Sequence, residues 1–382
     1  MRYKGRADLV LIASDGGECT ASGVFTKNAF RAAPVELCRE RLEGRKARAV
    51  LANAGIANAC TGAEGLENAR RMSRAASQWL GCREDAVLVA STGVIGMQLK
   101  VESAEQVMEK LVSQLRPDGW GDAARAIMTT DTVPKTASAT IDVGGKTVTI
   151  GGIAKGSGMI APNMATLLVF ACTDADLSPE VLDYWTRVGA DRSFNRITVD
   201  GDTSTNDTLI VLAGGAAGNP KITETGSEAG LAFGEALCAV LRDLAIQAVM
   251  DGEGATKLIE IDVTGAADVE SARTVAFTVA NSPLVKTAFF GQDANWGRIV
   301  AAAGRSGVEV KPERTALFFE ELCVFRGGTP ILEAEVEKRA SEIFRQKEIR
   351  VRLDLGMGNA EFTAYTCDFS FDYVKINASY RS

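Results

Sequence analysis

The chain has 382 residues, 46% of them hydrophobic and 24% charged, with a formal net charge of −7. That length suits two or three domains with a large buried core, and no Lys/Arg run is long enough to track a phosphate backbone, which argues against nucleic acid as a partner. Histidine is absent, which removes Ser-His-Asp and Cys-His chemistry, His-ligated metals and imidazole bases. An enzyme with this composition must take its base from a carboxylate, a lysine, a tyrosine or an α-amine.

Short apolar strands alternate with amphipathic helical stretches, the pattern of an α/β (α+β) chain. Residues 9–13 read as a strand, too short for a signal-peptide core or a membrane span, and the chain is read as cytoplasmic and free of membrane. Residues 49–52 form a second strand. Thr61-Gly62-Ala63-Glu64 has the form of a capping box, opening a helix with Leu66, Ala69, Met72, Ala76 and Leu80 on one face. Residues 86–90 form a strand that delivers Ser91-Thr92-Gly93 into a loop. Strands at 139–143 and 146–150 flank Gly144-Gly145, a two-residue hairpin signal. Residues 165–173 read as a buried strand, and Ser178-Pro179-Glu180 opens a helix with Ser as cap and Pro at its first position. A helix over 229–250, a strand over 257–263, helices near 296–303 and 333–344, and strands at 349–353 and 361–367 complete the pattern. The 8 cysteines contain no C-x-x-C pair and read as buried free thiols.

The glycine-rich stretch from Gly151 to Thr166 is the densest special segment, and four readings compete for it. A dinucleotide fingerprint needs its glycines between strand and helix, whereas a strand follows here. A P-loop needs Gly-Lys-Ser/Thr in that order, and the chain has Lys155-Gly156-Ser157. A third reading is a structural turn. In the fourth, the loop presents Thr166 as a nucleophile. A threonine hydroxyl needs a base beside it, and freeing the α-amine of the same residue supplies one without histidine, since such amines titrate near ~8. Thr166 would first attack the carbonyl of Ala165, and an N-to-O acyl shift followed by hydrolysis would leave chains 1–165 and 166–382. Backbone flexibility around the glycines would admit that bent approach.

The stretch Gly152-Ile-Ala-Lys-Gly-Ser-Gly-Met-Ile-Ala-Pro-Asn-Met-Ala-Thr166 closely resembles the cleavage segment of the ornithine acetyltransferase family, the bifunctional glutamate N-acetyltransferases of arginine biosynthesis. Further family-like runs follow in order: Gly23–Asn28, Asn58–Gly62, Ser91–Gly96, Met128–Thr132, Asp200–Asp207, Asp251–Lys257, Asn281–Lys286, Gly291–Arg298 and Tyr373–Asn377. The resemblance implies cleavage between Ala165 and Thr166 and a Thr166 nucleophile. It also implies an oxyanion hole from Thr92 and Gly93, where losing one donor typically costs about 10²–10³ in rate. Amino-acid substrate would be bound by Thr129, Lys155, Thr166, Glu253, Asn377 and Ser382. Lys155 suits an α-carboxylate and Glu253 a cationic amine; Thr130 is an alternative to Thr129.

The implied reaction moves acetyl from N-acetylornithine to glutamate through an acetyl-threonine ester, a ping-pong scheme with no metal and no cofactor. Some family members also accept acetyl-CoA as donor. The implied fold is an α-β-β-α layered catalytic domain, taken as residues 1–281, with a smaller C-terminal α/β domain, 282–382, and the two cleaved chains paired as a heterotetramer. A self-cleaving aminopeptidase or amidase of the same sandwich, and an uncleaved amino-acid-binding relative, are the rival readings. The chain departs from the family pattern in its short leader, which would trim an edge of the sheet. It also departs at Ile56, where the family commonly has asparagine, and at Ser382, where threonine is usual.

Overall fold

The computed structural model describes residues 5–161 and 167–378; Ala165, Thr166 and Ser382 lie outside them. Two compact units emerge, Met1–Asn195 with Asp202–Ala248, and Arg196–Gly201 with Val249–Ser382.

The first unit contains two sheets. One has three strands, β1 (Leu9–Ala13), β4 (Ala49–Ile56) and β5 (Val87–Val94), in the order β1-β4-β5. The other joins β2 (Cys19–Phe25), β3 (Lys46–Ala47), β6 (Lys135–Val143), β7 (Lys146–Lys155), β8 (Leu168–Thr173) and β9 (Thr208–Ala213) in the order β3-β2-β9-β8-β7-β6. β4 is buried along its whole length and runs parallel to β5, which explains its continuous apolar composition. The helices are α1 (Ala33–Arg41), α2 (Gly62–Leu80), α3 (Val101–Ser113), α4 (Trp120–Ala126), α5 (Pro179–Arg192) and α6 (Glu228–Met250). One continuous core draws Leu51 and Leu88 from the three-stranded sheet, Ile153, Phe170 and Ile210 from the six-stranded one, and Leu37, Met72 and Met108 from α1, α2 and α3. With α1 and α2 against the first sheet and α5 against β2 and β9 of the second, the layers are α-β-β-α, as expected.

Local chemistry explains most of these elements. Gly144 and Gly145 have φ of 62° and 79°, the left-handed pair that a tight hairpin between β6 and β7 requires. Ser178 caps α5 by accepting from the Val181 N–H at 3.4 Å. The capping box expected at Thr61 does not form: its hydroxyl donates to Asn58 Oδ1 at 2.8 Å instead. α2 still buries Ala69, Met72 and Ala76 as its periodicity predicts. β7 runs through Gly151 and Gly152 to Lys155 rather than stopping at 150. A Cβ on Gly152 would sit 3.1 Å from Leu244 Cδ1 and 3.3 Å from the Phe170 carbonyl oxygen, so here glycine admits close packing within a strand.

The second unit is built on a six-stranded sheet of β10 (Leu258–Ala266), β11 (Ala316–Phe319), β12 (Leu322–Arg326), β13 (Thr329–Pro330), β14 (Glu348–Asp354) and β15 (Ala360–Cys367), ordered β13-β12-β11-β14-β10-β15. Its helices are α7 (Val269–Ala280), α8 (Pro283–Phe290), α9 (Trp296–Gly304), α10 (Ala334–Phe344) and α11 (Phe371–Ala378). β10 lies between β14 and β15, and α7 packs on β10 and β15. Residues 249–281 therefore belong with this unit, ahead of the division expected at 281/282.

All eight cysteines are free, but only Cys19, Cys38, Cys238 and Cys367 are buried; Cys60 is exposed and the other three are half-buried. The burial expected of all of them holds at the four positions on β2, α1, α6 and β15, and is only partial at Cys82, Cys172 and Cys323. It fails at Cys60, in the loop before α2.

Gly234 in α6 tests the packing of the first unit. A Cβ there would lie 2.0 Å from Cδ2 of the Trp185 indole. Alanine gains about 1 kcal/mol in helix propensity, whereas overpacking a fixed aromatic ring costs about 1–3 kcal/mol. Gly234→Ala is expected to lower unfolding free energy by up to about 2 kcal/mol in urea titrations.

Candidate active site

The candidate site of the first unit begins where β4 and β5 end side by side. Gly93 has φ of 131°, and a Cβ on it would fall 2.2 Å from the carbonyl carbon of Gly55. No other residue fits both that conformation and that approach. The preceding segment is held from beneath by buried amides. Asn206 Nδ2 donates to the carbonyls of Ser91 at 2.8 Å and Ala57 at 2.6 Å. Ser91 Oγ donates to Asn53 Oδ1 at 2.6 Å, and Asn53 Nδ2 donates to the Ile56 carbonyl at 2.9 Å. Ile56 thus contributes only its backbone to this network, and its side chain is buried in the core. The isoleucine leaves the local hydrogen bonding served by Asn53.

Thr92, thus positioned, is buried, and its hydroxyl oxygen accepts from Lys155 Nζ at 3.4 Å. Lys155 closes β7 and is 3% exposed. Its ammonium lies 3.8 Å from Asp131 Oδ2. Asp131 is the hub. Its Oδ1 accepts from Lys135 Nζ and from the Gly156 N–H, both at 2.7 Å, and its Oδ2 accepts from the Thr129 N–H at 3.0 Å. Burial alone would raise this carboxyl's pKa, but Lys155, Lys135 and the Thr129 N–H outweigh it and bring it down to about 2. The hydroxyl of Thr130 is paired with Ser157 Oγ at 2.7 Å.

In the second unit, Glu253 is buried and its Oε2 accepts from Asn377 Nδ2 at 2.8 Å; Asn377 also donates to the Tyr373 carbonyl at 3.0 Å. A Cβ on Gly254, whose φ is 72°, would sit 2.5 Å from the Tyr373 nitrogen, so glycine here lets α11 approach the 251–257 segment.

Of the residues predicted from sequence, Thr92, Gly93, Lys155 and Thr129 are therefore gathered in the first unit, the last through Asp131, and Glu253 and Asn377 are paired in the second. Ala165, Thr166 and Ser382 lie outside the described residues. Sequence reasoning missed Asp131, Lys135 and Asn206. Asp131 and Asn206 fall inside the runs Met128–Thr132 and Asp200–Asp207, and Lys135 stands four residues after Asp131, the only signals that marked them. Among the described residues no group of three or more Cys, Asp or Glu is arranged to hold a metal ion, and no helix is long and apolar enough to cross a membrane.

Paired sheets flanked by helices, with a buried hydroxyl fed by an ammonium, define a mixed α/β enzyme of α-β-β-α layering. Over residues 1–382 the chain matches the family described as ArgJ family, and it belongs to that family. It is 51% identical over 378 residues to the arginine biosynthesis bifunctional protein ArgJ of Symbiobacterium thermophilum, covering 99% of this chain and 93% of the relative. The protein of that name from Geobacter sulfurreducens is 50% identical over 382 residues, covering 100% and 96%. The crystal structure of arginine biosynthesis bifunctional protein argJ from Bacillus halodurans superposes with a TM-score of 0.52 at 40% identity, covering 55% of this chain and 97% of that one.

Asp131→Asn removes the negative charge between two buried ammonium groups and is expected to cost about 3–5 kcal/mol of stability at pH 7. The folded carboxyl titrates at about 2, below its ordinary 3.8. Its stabilisation is therefore present above pH ~4 and is lost as pH falls through about 2. Chemical unfolding of both proteins across that range should show the gap between wild type and variant narrowing by about 2 kcal/mol.

Proposed function

We propose that the protein cleaves itself between Ala165 and Thr166 and then transfers acetyl from N-acetylornithine to glutamate, with Thr166 as the acyl carrier. The observation that carries this reading is the buried contact of Lys155 with the Thr92 hydroxyl. A hydroxyl whose lone pair faces an ammonium turns its own O–H outward, ready to donate to an oxyanion. Gly93, next in sequence and held in a backbone conformation open only to glycine, supplies the second donor. Both tetrahedral intermediates of a ping-pong acyl transfer need such a hole.

In the first half-reaction Thr166 Oγ bonds to the acetyl carbon, its proton passes through the free α-amine to the departing ornithine nitrogen, and the amide C–N bond breaks. In the second, the amine of glutamate attacks the ester and Thr166 Oγ leaves with the proton returned. No metal and no cofactor is required, since one amide is exchanged for another, but water must be kept from the ester. Lys155 and Thr129, both tied to Asp131, and Thr166 would face the substrate carboxylate and acyl group. Glu253, with its Asn377 partner, would take a cationic amine, together with Ser382. Acetyl-CoA is a second candidate donor. The cleaved chains, 1–165 and 166–382, would remain together, two of each forming a heterotetramer in the cytoplasm.

On a denaturing gel, wild type should run as two bands and Thr166→Ala as one; a single band for both would sink the self-cleavage reading. Acetyl release from N-acetylornithine should depend on glutamate, and release that is indifferent to glutamate would mark a hydrolase instead. Repeating the assay with acetyl-CoA decides whether it serves as a donor. Thr92→Ala should cut kcat about 10²–10³-fold with little change in KM, as expected of a group used only in the transition state.

A further inference from the structure

Asp368, Phe369 and Ser370 run in sequence from the end of β15 to the start of α11, and the proposed reaction gives none of them a role. Each grips a different part of the second unit. Asp368 is buried; its Oδ1 accepts from the N–H groups of Thr256 at 2.7 Å and Lys257 at 3.0 Å, and its Oδ2 from the Thr256 hydroxyl at 2.5 Å. The Phe369 N–H donates to the Lys286 carbonyl at 3.3 Å. Its ring lies 4.6 Å from the Lys286 ammonium and stacks on Tyr373, with centroids 4.6 Å apart. Ser370, also buried, donates its hydroxyl proton to the Gly254 carbonyl at 2.6 Å and accepts from the Asp372 N–H at 3.2 Å.

The two bonds of Ser370 join the two halves of the Glu253–Asn377 pair. Gly254 follows Glu253 directly, and Asp372 lies in the first turn of α11, the helix that carries Asn377. The bond that Ser370 accepts is that of a helix cap; the one it donates reaches out of the helix to the neighbouring segment. A Cβ on Gly254 would fall 2.7 Å from Ser370 Oγ, so the hydroxyl meets the glycine backbone at close range. Asp368 holds the far end of the same segment at Thr256 and Lys257, and the stack on Lys286 and Tyr373 keeps the 368–370 strap itself in place. Glu253 thus sits one peptide from a clamp whose other jaw is the start of α11. A group that binds charge has to be held within about 0.5 Å of its productive position, and this clamp is what sets that position.

We propose that Ser370 is a positioning residue for recognition of the donor's cationic side-chain amine. Its hydroxyl ties Gly254 to the start of α11 and so sets the Glu253 carboxylate against Asn377. The inference rests on the reading that Glu253 takes the amine. Ser370 touches neither the substrate nor the reacting atoms; it governs how well the protein tells an acetylated diamino acid from its uncharged aliphatic counterpart.

Two donors separate positioning from general damage: N-acetylornithine, and N-acetylnorvaline, which lacks only the side-chain amine. Acetyl transfer from each to glutamate would be measured for wild type, Ser370→Ala, Ser370→Gly, Ser370→Thr and Glu253→Gln. Glycine is nearly as good a helix cap as serine, so Ser370→Gly removes the clamp on Gly254 while sparing α11. Both Ser370→Ala and Ser370→Gly should raise KM for N-acetylornithine about 10-fold with kcat nearly constant, the mark of lost ground-state binding. Their kcat/KM for N-acetylnorvaline should stay near the wild-type value, and Ser370→Thr, which keeps the hydroxyl, should restore the preference for N-acetylornithine. A preference that collapses in Glu253→Gln but survives in Ser370→Ala and Ser370→Gly overturns the inference and leaves the amine-binding reading standing. A parallel loss with both donors also overturns it, since that marks a general disturbance. A wild type without preference, or one that uses neither donor, or a Glu253→Gln form that discriminates as wild type does, overturns both. If Ser370→Ala does not fold, Ser370→Gly decides by the same ratio.

Discussion

Asp131 is cut off from water, so its negative charge has to be carried by groups the fold brings to it. Four do so: the ammonium groups of Lys135 and Lys155 and the N–H groups of Thr129 and Gly156. At about 4 Å and an effective dielectric near 20, each unit-charge attraction is on the order of 4 kcal/mol, enough to offset much of the desolvation that isolating a carboxylate incurs. One carboxylate thereby ties the first residue of β6, the last residue of β7 and the 129–131 loop to one point. Through Lys155 the same charge reaches the hydroxyl of Thr92. Removing it would leave two buried cations facing one another.

Around that electrostatic hub, the remaining geometry is steric and hydrogen-bonded. Gly55 and Gly93 bring the ends of β4 and β5 closer than any side chain permits. The amides of Asn53 and Asn206 satisfy the carbonyls of Ser91, Ile56 and Ala57 where the regular ladder gives way. Buried polar networks of this sort are stabilising only when each member is paired, which accounts for the density of Asn, Ser and Thr in a region otherwise lined by aliphatic side chains.

Elements governed by local chemistry were legible in the sequence. The strand at residues 9–13, the Gly144-Gly145 hairpin and the Ser178 cap are each specified by a few adjacent residues, and they form where those residues direct. β2 was not legible, because Cys19–Phe25 is rich in small and polar residues and becomes a strand by pairing along its length with β9, far along the chain, and at its start with β3. The Thr61 capping signal misleads because Asn58, in a left-handed turn, captures the hydroxyl first. At the site, resemblance marked Thr92, Gly93 and Lys155, but nothing in the string Met128-Thr-Thr-Asp-Thr132 shows that the aspartate is sealed between two lysines. That fact depends on Lys155, which follows Asp131 by 24 positions in the chain, and on the β6–β7 register.

The strand order of the larger sheet bears on what becomes of the two pieces if the chain is severed before Thr166. β2, β3, β6 and β7 would then belong to one polypeptide and β8 and β9 to the other. In the order β3-β2-β9-β8-β7-β6 the second polypeptide's strands are inserted between strands of the first. Each inserted strand has a foreign neighbour: β9 pairs with β2, and β8 with β7. The halves are interleaved like fingers of two hands, so pulling them apart means tearing two ladders from the middle of a sheet. Separation of the fragments and unfolding would be a single event, and the nick would be invisible until the protein is denatured.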